Sequence, residues 1–122
     1  MALQTVAAVA AAAGVLAAPV ARPPMVPSLK VTPNAVQRGH VVVISGAAGD
    51  CPTGDAVTIL SHAFVHTHDF AGVPAVYAPV QPNGFFRATT RIPATKSSGS
   101  YTVTARCGGG NLGLLERLAV RR

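Results

Sequence analysis

The stretch "SHAFVHTHDF", Ser61 to Phe70, holds three of the chain's four histidines together with Asp69. Imidazole nitrogens and a carboxylate in so short a span are the donor set of a copper or zinc site, provided they converge within about 2.0–2.2 Å of one point. Spacing tests that condition. On an extended strand His62, His66 and His68 project from one face, and residues two apart lie about 6.6 Å from each other, so His66 and His68 can share an ion. His62 would then sit about 13 Å from His66 and fall out of reach. On a helix His62 and His66 share a face while His68 points elsewhere. A bend near Ala63 to Val65, or a loop, gathers all three, with Asp69 as a fourth ligand or as the carboxylate that orients a ring. The candidate metal set is therefore His62, His66, His68 and Asp69, for copper or zinc. Against it stands the plainer reading, loop histidines that hold no ion, and on that reading no cofactor is required.

Other chemistry is thinner. Ser61 beside His62 is not a nucleophile and base by adjacency alone, and "GGGN", Gly108 to Asn111, follows a strand pattern but opens no helix, so it lacks the context of a phosphate loop. No catalytic residue emerges, and the chain reads as a non-enzyme. In "FFRATTRI" the odd positions Phe85, Arg87 and Arg91 share one strand face, a basic face with an aromatic that suits contact with nucleic acid or glycan, against the plainer reading of an ordinary polar outer face on an antiparallel sandwich.

These residues must be positioned by a small scaffold. The chain has 122 residues, room for one domain, with 10 Pro, 12 Gly, no Trp and many Val and Thr, a composition that favours short strands joined by tight turns. Ten Lys and Arg against four Asp and Glu give a net charge of +6, but the cations are scattered, with no run longer than Arg121–Arg122. Specific nucleic-acid recognition is not indicated; solubility and contact with anionic surfaces are.

Residues 1–21, "MALQTVAAVAAAAGVLAAPVA", are uncharged and Ala/Val-rich, with small residues before the proline-rich stretch that follows. That is the anatomy of a secretory signal or a retained anchor, and the apolar run is too short for a membrane span, so the mature form is expected to have none. Residues 22–28, "RPPMVPS", read as an extended linker. Two cysteines in an exported chain fit one disulfide, Cys51 to Cys107.

From Ser28 the chain breaks into seven β-type runs: "SLKVT", "HVVVISG", "AVTILSHAF", "AVYAPVQ", "GFFRATTRIP", "SYTVTARC" and "LLERLAVRR". The second is apolar enough to be buried on both faces or nearly so. "PNG" between the fourth and fifth offers Asn83 and Gly84 for a tight hairpin. Tyr101 is placed to anchor a corner at the start of its strand through its hydroxyl. Seven short strands with no helical period predict an all-β, immunoglobulin-like antiparallel β-sandwich over residues 29–122, preceded by the signal segment.

"LKVTPNAVQRGHVVVISG", "CPTGDAVTI", "NGFFRATTRIPA" and "SGSYTVTARCGGGNLG" resemble the single-disulfide immunoglobulin-like modules of exported actinobacterial proteins. The resemblance implies a secreted or cell-surface module that binds or spaces at the cell envelope, monomeric, with an envelope protein or an anionic wall polymer as partner. "FVHTHDFAG" also looks like the Phe-His-x-His segment of copper-zinc superoxide dismutases, yet those enzymes need further histidines downstream and none follows His68. The alternatives retained are a copper- or zinc-binding exported protein centred on His66 and His68, and a small-ligand carrier sandwich similar to the enediyne-binding apoproteins.

Overall fold

The computed structural model describes residues 25–108 and 110–122; the expected signal segment, residues 1–21, lies outside them, as does the first part of the expected linker. The described residues form nine strands and no helix, joined by turns and loops: β1 Lys30–Thr32, β2 Ala35–Gln37, β3 Val41–Ala47, β4 Ala56–Leu60, β5 His68–Phe70, β6 Val73–Pro79, β7 Phe85–Arg91, β8 Gly99–Cys107 and β9 Gly110–Arg121. Each of the seven expected runs contains a strand, but "AVTILSHAF" is a strand only through Leu60, because Ser61 turns the chain there. The two additions, β2 and β5, are three residues each.

The strands form two sheets, in the orders β1-β3-β7 and β2-β9-β8-β4-β6-β5. Labelled as in an immunoglobulin domain, β1, β3 and β7 take the A, B and E places, and β9, β8 and β4 the G, F and C places, with β6 and β5 extending the second sheet beyond C. The sandwich is not wholly antiparallel, because β2 pairs in parallel with β9 through Ala35↔Ala119 to Gln37↔Arg121. Pro33 and Asn34 separate β1 from β2, so the first edge of the chain serves one sheet and then the other. Pro33 has no amide hydrogen and ends a ladder naturally.

Inward alternation builds the core. Val42 and Ile44 of β3 and Phe86 of β7 face Val57 and Ile59 of β4, Val103 and Ala105 of β8, and Leu118 and Val120 of β9, all but fully buried. Burying each such side chain contributes roughly 1.5–3 kcal/mol. β3 is not buried on both faces along its length as its composition suggests: Val41 is 41% exposed and alternation holds from Val41 to Ser45, while Ala47 at the far end of the outer face is buried. The strand buried on both faces is β4, where Thr58 on the outer side is only 5% exposed.

Two turns and one docking contact fix the register. The "PNG" turn does not make the expected hairpin, because β6 and β7 lie in different sheets and the turn carries the chain from one to the other. There Gly84 takes a positive φ, 87°, and donates its N–H to Gln81 O at 2.8 Å, while Asn83 stays out of that region and its side-chain oxygen accepts from Phe85 N at 3.0 Å. Between β5 and β6 the two-residue loop Ala71–Gly72 has φ values of 54° and 85°, the pair of left-handed residues a type I′ turn requires. The end of the expected linker is docked, since Ser28 donates to Ala47 O at 3.1 Å and its hydroxyl accepts from Ala47 N at 3.0 Å.

Candidate functional site

The histidine stretch divides at the end of β4. Ser61 turns the chain: its hydroxyl accepts from Ala63 N at 3.1 Å and its carbonyl from Phe64 N at 3.3 Å, which buries Ala63 and Phe64 and leaves His62 exposed on the turn. The bend needed to gather the histidines is therefore present, but its residues go elsewhere. His66 Nε2 lies 2.8 Å from Asp69 Oδ1, and Asp69 Oδ2 accepts from Gly72 N at 3.2 Å, closing the β5–β6 turn. His68 opens β5 and its ring packs against Tyr77, centroids 5.1 Å apart and tilted by 59°. The structure thus brings His66 and Asp69 together.

Among the described residues, the group that sets three candidate ligand atoms within 4.8 Å of one another is Cys51, Asp55 and Cys107. Its sulfurs are bonded to each other at 2.08 Å in the expected disulfide, so the thiolates a metal needs are not available in the oxidised chain. The bridge joins the β3–β4 loop to the end of β8, with 56 residues of sequence separation. Beside it lies an open, mostly apolar cleft of about 310 Å³, with Met25, Pro27 and Leu112 among its walls and Asp50 and Asn111 contributing polar atoms.

The outer face of the three-stranded sheet carries the basic candidate residues. Strand pairing lays it out in rows: Phe85 beside Ala47; Arg87, Ser45 and Lys30; Thr89, Val43 and Thr32; Arg91 beside Val41. The expected grouping of Phe85, Arg87 and Arg91 on one face is what β7 displays, all three exposed while Phe86 and Thr90 are buried. Lys30 joins them across β3, which no local pattern in the sequence indicates. The chain's four carboxylates, Asp50, Asp55, Asp69 and Glu116, all lie on loops or on β5 and β9, so this face carries cations and no acid. Arg91 is held in place by donating from Nη1 to Gly39 O at 2.5 Å.

The outer face of the six-stranded sheet is different. Arg106 lies over the ring of Phe70, 5.1 Å from its centroid, and Arg117 donates to Thr102 Oγ1 at 3.1 Å. The β5 hairpin that brings Phe70 there was legible only in the turn chemistry of Asp69 and Gly72, which an otherwise unpatterned "HDFAG" conceals. Tyr101 behaves as expected, its hydroxyl donating to Ser97 O at 2.7 Å.

These features define the class as an immunoglobulin-like β-sandwich with one disulfide. No protein-family model matches the chain, and no curated protein matches it. Solved structures share its fold. The alkylpurine DNA glycosylase AlkC of Pseudomonas fluorescens, bound to DNA containing an abasic-site analogue, superposes with a TM-score of 0.53 at 17% identity, over 78% of this chain and 29% of that one. Salmonella alpha-2-macroglobulin reacted with methylamine gives 0.50 at 17% identity, over 84% of this chain and 7% of that one. Macromomycin gives 0.49 at 13% identity, over 76% of this chain and 96% of that one, too low to carry an inference. At such identities the likeness concerns the fold alone, and the chain spans less than a third of either larger protein.

Proposed function

We propose that this chain is an exported, monomeric, non-enzymatic immunoglobulin-like module that binds at the cell envelope, with an anionic wall polymer as its partner. The observation that carries this reading is the outer face of the three-stranded sheet, where Lys30, Arg87 and Arg91 stand on the strands and none of the chain's carboxylates does. A cationic face without acids attracts polyanions and repels its own copy, which supports both the partner and the monomer. Export is supported by the Cys51–Cys107 disulfide, a bond typical of oxidising compartments. No helix among the described residues is long and apolar enough to cross a membrane.

The test is a sedimentation assay of the oxidised chain with purified cell walls, before and after chemical removal of their anionic polymer, over a range of salt. The reading expects retention that falls with salt and is lost both on polymer removal and in Arg87→Ala/Arg91→Ala. Equal retention on stripped walls would reject it.

A further inference from the structure

The order of residues along β7 says more about the polymer than its charge. Resting on the anionic-polymer reading above, we infer that this face is a track for a linear phosphodiester polymer bearing sugar rings, with Phe85 as the platform for a sugar and Arg87, Arg91 and Lys30 as the phosphate contacts. Phe85 is 46% exposed at the start of β7, and its neighbour in the row is Ala47, itself only 5% exposed. Arg87 projects from the same face two positions on, about 6.6 Å away, and Arg91 lies about 13 Å beyond Arg87. Lys30 sits level with Arg87 across Ser45, about 9.6 Å away at two strand spacings. Thr89 places a hydroxyl between the two arginines.

Each part has a chemical counterpart. The apolar C–H face of a pyranose complements the negative face of an aromatic ring. Guanidinium groups present planar forks that match phosphate oxygens, and Arg91 is already oriented by Gly39. The surface is open and strand-like, which suits an extended chain passing over it. A second copy of this protein would bring the same cations face to face, and a bare polyanion would leave Phe85 without a use.

The experiment titrates the oxidised chain with three probes of equal phosphate count: unsubstituted poly(glycerol phosphate), the same polymer glucosylated on its glycerol units, and a single-stranded oligodeoxynucleotide. The glucosylated polymer should bind about tenfold more tightly than the unsubstituted one. Phe85→Ala should erase that difference, and Phe85→Tyr should restore it. Because Phe85 is exposed, an unaltered melting transition in Phe85→Ala is expected and confirms that the fold is intact. Equal affinity for the two glycerol phosphate polymers would overturn the sugar platform and leave the anionic reading standing. Binding to neither would overturn both. Tighter binding to the oligonucleotide would assign the face to nucleic acid and also overturn the inference.

Discussion

The guanidinium carbon of Arg106 lies 5.1 Å from the ring centroid of Phe70, joining β8 to β5 over the two strands between them. Beneath this contact the outer face of the six-stranded sheet is closed: Ala75 is 0% exposed and Thr58 only 5%. Arg106, Thr58 and Tyr77 share one row of the ladder, and Phe70 pairs with Val73 on the face that carries Ala75 and Tyr77. Arginine and aromatic together form a small second layer outside the main core. Replacing Phe70 by Ala removes the ring and uncovers that layer, and should cost about 2 kcal/mol in urea unfolding. Arg106→Lys keeps the charge but loses the planar cover and should cost less, about 0.5–1 kcal/mol. Wild-type stability in Phe70→Ala would show that the layer contributes nothing.

The β5–β6 turn places Ala71 at a φ of 54°, a region unfavourable to any residue with a Cβ that is not Asn or Asp. Gly72 already meets the demand of the second turn position, and Asp69 caps its N–H. Ala71→Asn supplies the residue pair that type I′ turns prefer. It should stabilise the protein by about 0.5–1 kcal/mol, seen as a rise in melting temperature. A fall would mean that the Ala71 methyl makes a contact worth more than the backbone cost.

Gly46 is required for a different reason. A Cβ built there would come within 1.9 Å of Ser28 O and 3.1 Å of Phe86 Cζ. The obstacle is backbone on one side and a buried ring on the other, so neither yields readily. Gly46→Ala should displace the docked segment at Ser28 and cost about 3 kcal/mol in chemical denaturation. Amide exchange should show Ala47, whose N–H is bonded to Ser28, losing protection first.

How much of this was legible beforehand depends on the range of the signal. Alternation within "SYTVTARC" and "GFFRATTRIP" specifies strands and their inner faces, because the period of two is a local property. The all-β sandwich and the grouping of Phe85, Arg87 and Arg91 follow from it. β2 and β5 escaped because three residues are too few for a period, and β2 additionally pairs in parallel with a strand more than eighty residues away. Lys30 could not be joined to Arg87 without the β1–β3–β7 register. "HVVVISG" misled by composition: its valines fill both sides of β3, but only one side meets the other sheet.

The Cys51–Cys107 bridge closes a loop with a sequence separation of 56. On the chain-entropy model such closure contributes about 4 kcal/mol, a large part of the 5–15 kcal/mol typical of a domain. Cys51→Ser/Cys107→Ser should lower the unfolding free energy by about that amount, and a dithiol reductant should shift the melting temperature of the wild type in the same direction. The double variant should be insensitive to the reductant. A wild type whose melting temperature does not respond to complete reduction, checked by thiol titration, would contradict the argument.

The histidine loop is the last test, because its chemistry is already committed to structure. Asp69 accepts from Gly72 N through one oxygen and contacts His66 Nε2 through the other, and the His68 ring packs on Tyr77. A metal recruiting His66, His68 and Asp69 together must take Asp69 from the turn and His68 from its aromatic neighbour. Each of those contacts is worth on the order of 1 kcal/mol, and the ordering of exposed side chains adds an entropic cost. Isothermal titration of the oxidised chain with copper(II) and zinc(II) should therefore show no one-to-one binding below micromolar concentrations. His66→Ala should change stability by only a few tenths of a kcal/mol, since its pair with Asp69 is exposed at 60% and 50%. Submicromolar binding that disappears in both His66→Ala and His68→Ala would reverse this conclusion, and would show that the β5–β6 turn opens to build the site.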